Sequence, residues 1–198
     1  MSPRERLTWP KIVRFVSLPF CSERLETLFV VQRFEDIPST KLINMGIQAV
    51  LLDADGTLGP NHTRTFSESK VHHVRYLKEA GLQVGIFTNA DENRFEQFEG
   101  VCVAKNVPAK PCTIGFLEAM RQTLGMDDPS QVCMIGDNYI TDGGAVDAGM
   151  KFIYVETIKG NESLIHRLFK AWGFFWARFH GKLVRLEKTS VGSMALDV

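Results

Sequence analysis

Residues 50–58 read V-L-L-D-A-D-G-T-L, an apolar run that ends in two aspartates around one alanine and then a glycine. The pattern predicts a buried strand whose last side chains emerge at the carboxyl edge of a sheet, where open α/β sheets bind their ligands. Side chains alternate along a strand, so Asp53 and Asp55 fall on the same side. Two carboxylates so close repel unless a cation or a shared proton lies between them. Magnesium, a hard cation that prefers carboxylate oxygen, meets that demand. A core strand followed by an ordinary Asp-Gly turn explains Val50–Leu52 and Asp55-Gly56, but not an aspartate set directly against the apolar run.

Further along, Leu82–Phe87 is a second apolar run and ends in Thr88-Asn89-Ala90. Pro108-Ala109-Lys110-Pro111 places a lysine in a turn, and Val132–Ile135 ends in Gly136-Asp137-Asn138 with Thr141-Asp142 close behind. Three candidate strands thus each end in groups suited to phosphate or metal. In this order the motifs resemble those of the haloacid dehalogenase superfamily of phosphohydrolases, over residues 43–155.

The resemblance implies a phosphatase in which Asp53 attacks phosphorus to give an aspartyl-phosphate, a known route for carboxylate nucleophiles. It gives Asp55 the proton transfers to the leaving alcohol and from the incoming water. Thr88 and Lys110 would hold phosphate oxygens, with Asn89 lending a backbone N–H or its amide. Magnesium would sit on the Asp53 carboxylate, the Asp55 backbone carbonyl and Asp137, with Asp142 orienting that shell or binding directly.

Simpler roles stand beside these. Thr88-Asn89 can cap a helix opening near Asp91, and Asp137-Asn138 can form an Asx turn. Lys105 competes with Lys110, but the family pattern is Lys-Pro, and Pro111 suits the first position of a helix. His72 and His73 are adjacent in a helical stretch and cannot share a face, so both are expected at the surface.

The wider pattern predicts an α/β fold, a Rossmann-like doubly wound parallel sheet. Strands are expected at Ile47–Asp53, Leu82–Phe87, Val101–Ala104, Val132–Ile135 and Phe152–Val155. Helices are expected at Ser67–Ala80, Glu92–Phe98 and Ile114–Leu124. Residues 1–42 read as an irregular extension broken by prolines, 43–160 as the phosphatase core, 161–186 as an amphipathic helix and 187–198 as a flexible tail. The 198 residues suffice for one domain with a proper core.

Lys plus Arg and Asp plus Glu both number 23, so no global field argues for nucleic acid. Cys21, Cys102, Cys112 and Cys133 show neither a C-x-x-C pair nor zinc spacing; Cys102 and Cys133, inside apolar runs, are expected to be buried. No stretch reaches membrane-span length, and no signal-peptide core is visible.

Superfamily members carry cap domains between the first and second motifs or between the second and third. Here the gaps from Asp53 to Thr88 and from Thr88 to Lys110 hold no cap, which leaves an open site suited to large or surface-presented substrates. Asn61 or His62, on a flap at 59–63, can add to a head-group contact.

At helical period, Leu164, Leu168, Trp172, Phe175 and Phe179 project to one side, with Arg167, Lys170, Arg178 and Arg185 opposite. That pattern is the signature of a helix in a membrane interface, or of one packed on the core or a second subunit. Phe174 and Lys182 fall on the wrong sides, and Gly173 and Gly181 weaken the helix.

Within the superfamily the chain is most similar to the bacterial and mitochondrial phosphatidylglycerophosphate phosphatases. The resemblance rests on Gly46-Ile47-Gln48-Ala49-Val50, Thr88-Asn89 before Glu92-Asn93-Arg94, Lys110-Pro111, and Gly136-Asp137 with Thr141-Asp142. It departs at Gly56, where asparagine is usual, and at Ala145-Val146-Asp147, where Gly-Asn-Arg is usual. The resemblance implies hydrolysis of phosphatidylglycerophosphate at a membrane surface, by a cytoplasmic protein peripheral on an inner membrane or by one on the mitochondrial matrix side. A soluble phosphometabolite, a phosphoprotein, or a non-catalytic binding role for the same fold are the alternatives. The oligomeric state is left open.

Overall fold

The computed structural model describes residues 6–90, 93–160 and 163–186. Six parallel strands form one sheet in the order β1-β6-β5-β2-β3-β4. They are β1 (Phe29–Val31), β2 (Ala49–Leu52), β3 (Gln83–Ile86), β4 (Cys102–Val103), β5 (Val132–Gly136) and β6 (Lys151–Val155). Helices α1 (Trp9–Ser17), α2 (Ser39–Asn44), α3 (Glu68–Glu79), α4 (Thr113–Leu124), α5 (Gly144–Asp147) and α6 (Leu164–Phe179) cover it.

Alternation along the strands builds a core on each face. Ala49, Leu51, Val132 and Met134 join one apolar cluster, while Val50, Leu52, Cys133 and Ile135 join the other. Both faces are dry, as a parallel sheet requires. The register sets Leu52 beside Ile86 on one neighbour and Ile135 on the other, so the residues that follow these strands leave the sheet at one edge. Among the described residues only α3 and loops separate β2 from β3, and no cap domain is inserted.

The N-terminal stretch is not irregular. Pro10 sits in the first turn of α1, where a missing N–H costs nothing, and Pro38 is the N-cap of α2. β1 is only three residues long, too short to show a period, yet it extends the sheet beyond β6. Residues 93–98 form turns instead of a helix, with Phe95 and Phe98 packed on Phe66. β4 is a two-residue edge strand on which Cys102 is exposed, whereas Cys133 is buried as expected. His73 is buried against the edge of Phe34, while His72 stays at the surface.

The C-terminal helix stops at Phe179, and Gly181 adopts a positive φ of 67°. The chain then runs beside β1: the Val30 N–H donates to the Val184 carbonyl at 2.7 Å, and the Leu186 N–H to the Val30 carbonyl at 3.2 Å. An edge strand that would otherwise be open is thereby covered. Within α6 the apolar residues divide. Phe169, Trp172, Phe174 and Trp176 pack on the core, and Leu164, Leu168, Phe175 and Phe179 face outward. Gly173 is the close-approach point, since a Cβ there would lie 2.7 Å from Tyr139 Cβ. The expected tail at 187–198 lies outside the described residues.

Candidate active site

Asp53 leaves β2, and Asp137 leaves β5 at the same edge. Asp142 returns to that edge through a turn in which the Asn138 side chain accepts the Ile140 N–H and Asp142 Oδ2 accepts the Asn138 N–H. The Asx turn therefore exists, and it serves to bring Asp142 back. Asp53, Asp137 and Asp142 each offer a carboxylate oxygen, and these atoms lie within 4.8 Å of one another, all three residues being buried.

Two ammonium groups enter the cluster. Lys110 Nζ donates to Asp53 Oδ1 at 2.6 Å and also to Asp142 Oδ1. Lys170, from α6, donates to Asp137 Oδ2. Burial pushes the Asp137 and Asp142 carboxyls up, and the two ammonium groups only partly offset it. Burial also works against the charge of Lys110, but Asp142 and Asp53 outweigh it and hold the ammonium above its ordinary range.

Asp55 lines the same pocket, but its carboxylate faces other partners. It accepts from Arg94 Nη2 at 2.6 Å and from the His62 N–H at 3.0 Å. Burial raises its pKa, the Arg94 charge opposes that, and Asp53 adds to it. Gly56 follows with a φ of +85°, and a Cβ there would lie 2.0 Å from Asp137 Oδ2. A side chain here would have to displace the Asp137 carboxylate and the Lys170 ammonium.

Thr88 and Asn89 follow β3 into the pocket. The Thr88 hydroxyl oxygen accepts the Ala90 N–H at 3.1 Å, which leaves its proton free to donate elsewhere. The Asn89 amide clamps the Lys110 backbone from both sides, donating to its carbonyl at 3.0 Å and accepting its N–H at 2.8 Å. Asn89 thus positions Lys110 through its side-chain amide. The Lys110–Pro111 peptide is cis, and α4 begins after it at Thr113, so Pro111 is not that helix's first residue. Lys105 is exposed. From the flap, Asn61 lines the pocket, and His62 contributes its backbone N–H to Asp55.

The sequence reading gave no role to Arg94, Lys11 or His166, all of which the structure brings to Asp55 or to the pocket wall. It set Lys170 on a solvated helix face, whereas the side chain turns inward to Asp137. The only sequence signal was indirect: residues 163–186 contain no acid to pair with their basic side chains. At the position where the resemblance expects an arginine, Asp147 pairs with the buried Arg14 of α1 and with Arg24 at 3.4 Å. The guanidinium near this turn is supplied from the N-terminal helix.

Among solved structures, one crystal structure is 12% identical, with a TM-score of 0.51, 71% of this chain and 88% of that chain being covered. The core domain of a protein described as a phosphoglycolate phosphatase from Streptococcus pneumoniae is 19% identical, with a TM-score of 0.42 over 63% of this chain and 96% of that one. The cobalt-bound deoxy-D-mannose-octulosonate 8-phosphate phosphatase from Haemophilus influenzae is also 19% identical, with a TM-score of 0.45 over 72% and 92%. No curated protein matches the chain. The family model described as mitochondrial PGP phosphatase matches residues 22–148, well over half the chain and the whole stretch that carries Asp53, Thr88, Lys110, Asp137 and Asp142. A parallel sheet with phosphatase motifs in this order, matched over that length, makes the chain a phosphatase of the haloacid dehalogenase fold, and it belongs to the mitochondrial PGP phosphatase family.

Proposed function

We propose that the protein is a magnesium-dependent phosphomonoesterase that works through an aspartyl-phosphate and acts on phosphatidylglycerophosphate. The observation that carries the reading is the convergence of Asp53, Asp137 and Asp142 at one sheet edge. Three buried carboxylates held together by two lysine ammonium groups form a hard-oxygen donor set short of positive charge, which fits magnesium. Asp53, Asp137 and Asp142 would hold the ion, with the Asp55 carbonyl as a further donor. When bound, magnesium offsets charge on the oxygens of the transferring phosphoryl group.

Asp53 attacks phosphorus, and the bond from phosphorus to the leaving oxygen breaks. Asp55 gives that oxygen its proton, a role suited to a carboxyl whose pKa burial has raised. Water then attacks the aspartyl-phosphate, Asp55 takes the water's proton, and inorganic phosphate leaves a regenerated Asp53. Thr88 and Lys110 hold the phosphoryl oxygens meanwhile, and Asn89 fixes Lys110 for that purpose.

The family match supports the lipid substrate, and the basic pocket wall at Lys11, His166 and Lys170 suits a substrate with further negative charge. The mitochondrial description of the family favours the matrix-side alternative for its location. Among the described residues no helix is long and apolar enough to cross a membrane.

The test is phosphate release from phosphatidylglycerophosphate and from p-nitrophenyl phosphate, with magnesium and with EDTA. Wild type is expected to hydrolyse both only with magnesium and to prefer the lipid, and Asp53→Asn is expected to lose at least ~10³-fold, as nucleophile removal does elsewhere. Equal rates in wild type and Asp53→Asn would overturn the mechanism. A preference for soluble esters would overturn the substrate.

A further inference from the structure

We infer that α1 and α6 together form a docking face for an anionic lipid bilayer, beside the mouth of the catalytic pocket. α1 is inside out. Its buried residues are Lys11 and Arg14, while Trp9 is 74% exposed, Val13 43%, Val16 57%, and Phe20, just past its end, 83%. A helix resting on a core in water has the reverse arrangement. Here the inward charges are in use. The Arg14 guanidinium donates to the Tyr139, Gly143 and Arg24 carbonyls and to the Asp147 carboxylate, and Lys11 donates to the Arg6 carbonyl. The Arg14 bonds fix α1 with its apolar side turned out.

α6 continues the same surface. Phe15 of α1 stacks on Trp172, with ring centroids 4.8 Å apart, and the Trp172 indole donates to the Phe15 carbonyl at 2.9 Å. Outward from that seam, Leu164 is 69% exposed and Phe179 68%, with Leu168 and Phe175 between them. Large apolar side chains exposed side by side along two neighbouring helices mark an interaction surface.

Charge selects the occupant. Residues 6–22 and 163–186 hold eight of the chain's 23 Lys and Arg and none of its 23 acids. Arg14, Lys170 and Lys182 are paired with Asp147, Asp137 and Glu26, so the basic character of this apolar pole rests on its exposed arginines. Arg6, Arg167 and Arg178 stand exposed on this pole. Exposed aromatics and aliphatics among arginines are what an anionic membrane interface accepts. A second copy of the chain would bring these like charges together across a two-fold axis. Lys11 of α1 and His166 and Lys170 of α6 also wall the pocket. A bilayer seated on the two helices therefore presents head-group phosphates next to Asp53. The inference rests on the proposed function only for the identity of that phosphate ester; binding to the bilayer stands on the surface alone.

The experiment uses the full chain, floated with vesicles of phosphatidylcholine alone or mixed with phosphatidylglycerol. A Trp9→Glu/Val13→Glu variant and a Phe175→Glu/Phe179→Glu variant run in parallel, with p-nitrophenyl phosphate hydrolysis as the check on the site. Wild type is expected to float with the mixed vesicles at least tenfold more than with neutral ones. Its tryptophan fluorescence should be quenched by brominated acyl chains, and that quenching should fall in the variant that lacks Trp9. Each double variant should lose flotation at least tenfold and keep soluble-ester hydrolysis. Failure of wild type to float, equal flotation of the variants, or a stable dimer that the same substitutions dissociate would each overturn the docking face. Flotation without hydrolysis of either ester would instead count against the phosphatase mechanism and leave the docking face standing.

Discussion

Arg94 lies against the carboxylate proposed as the acid, and its charge favours the ionised form of Asp55. Removing that charge raises the Asp55 pKa further, so Arg94→Gln is expected to move the high-pH limb of kcat/KM upward, since the acid stays protonated to higher pH. Arg94→Lys should restore the limb toward wild type, and a pH–rate profile on a soluble ester reads both. Gly56→Ala tests the crowding beside Asp137. A left-handed φ costs a non-glycine residue about 1–3 kcal/mol, and the clash with Asp137 Oδ2 adds to it, so urea unfolding should show a loss of at least that size together with loss of hydrolysis. At this scale Asp53, Thr88 and Asp137 were legible because each follows closely on an apolar strand, and parallel register puts such residues at one edge. Lys170 was not, because it meets Asp137 across 33 positions of sequence and looks like any lysine on a helix.

α3 docks through His73, whose ring meets the edge of Phe34 and whose Nε2 has no hydrogen-bond partner among the described residues. Burial lowers its pKa, with Glu35 opposing and Lys70 adding to the shift. A histidine kept neutral in the folded state stabilises fully above its unfolded pKa of ~6.5 and loses that contribution as pH falls toward the folded value. His73→Phe is therefore expected to reduce the fall in Tm between neutral and mildly acid pH relative to wild type, a difference in which the other titrating groups cancel. Gly173→Leu should lift α6 from Tyr139 and cost about 1–3 kcal/mol, as overpacking does; chemical denaturation measures it. The long strands, the short β4 and α3 and α4 were legible from apolar runs and flanking turns, whereas β1 and α2 are too short to show a period. α6 reads as having one apolar side, whereas the structure divides those residues between core and exterior, because the wide stripe rests on the domain along one margin only.

For the molecule as a whole, the acid cluster makes stability a function of bound cation. An ion that binds only the folded state adds RT ln(1 + [L]/Kd), about 2.7 kcal/mol at a hundredfold excess over Kd. Magnesium should raise Tm in wild type, EDTA should reverse the rise, and Asp137→Asn should abolish it; a Tm indifferent to magnesium would count against the metal site. The backbone pairing of residues 184 and 186 with β1 ties the last described segment into the sheet, so α6 is held at two points, along its length by Lys170 inside the site and beyond its end by that pairing. A stop codon before Leu164 would consequently not yield a free-floating version of a working enzyme. It would bare a strand to sticky self-association, withdraw a cation from the reaction chamber and leave the first helix without its neighbour, so such alleles should behave as loss of protein, visible as insoluble chain in expressing cells.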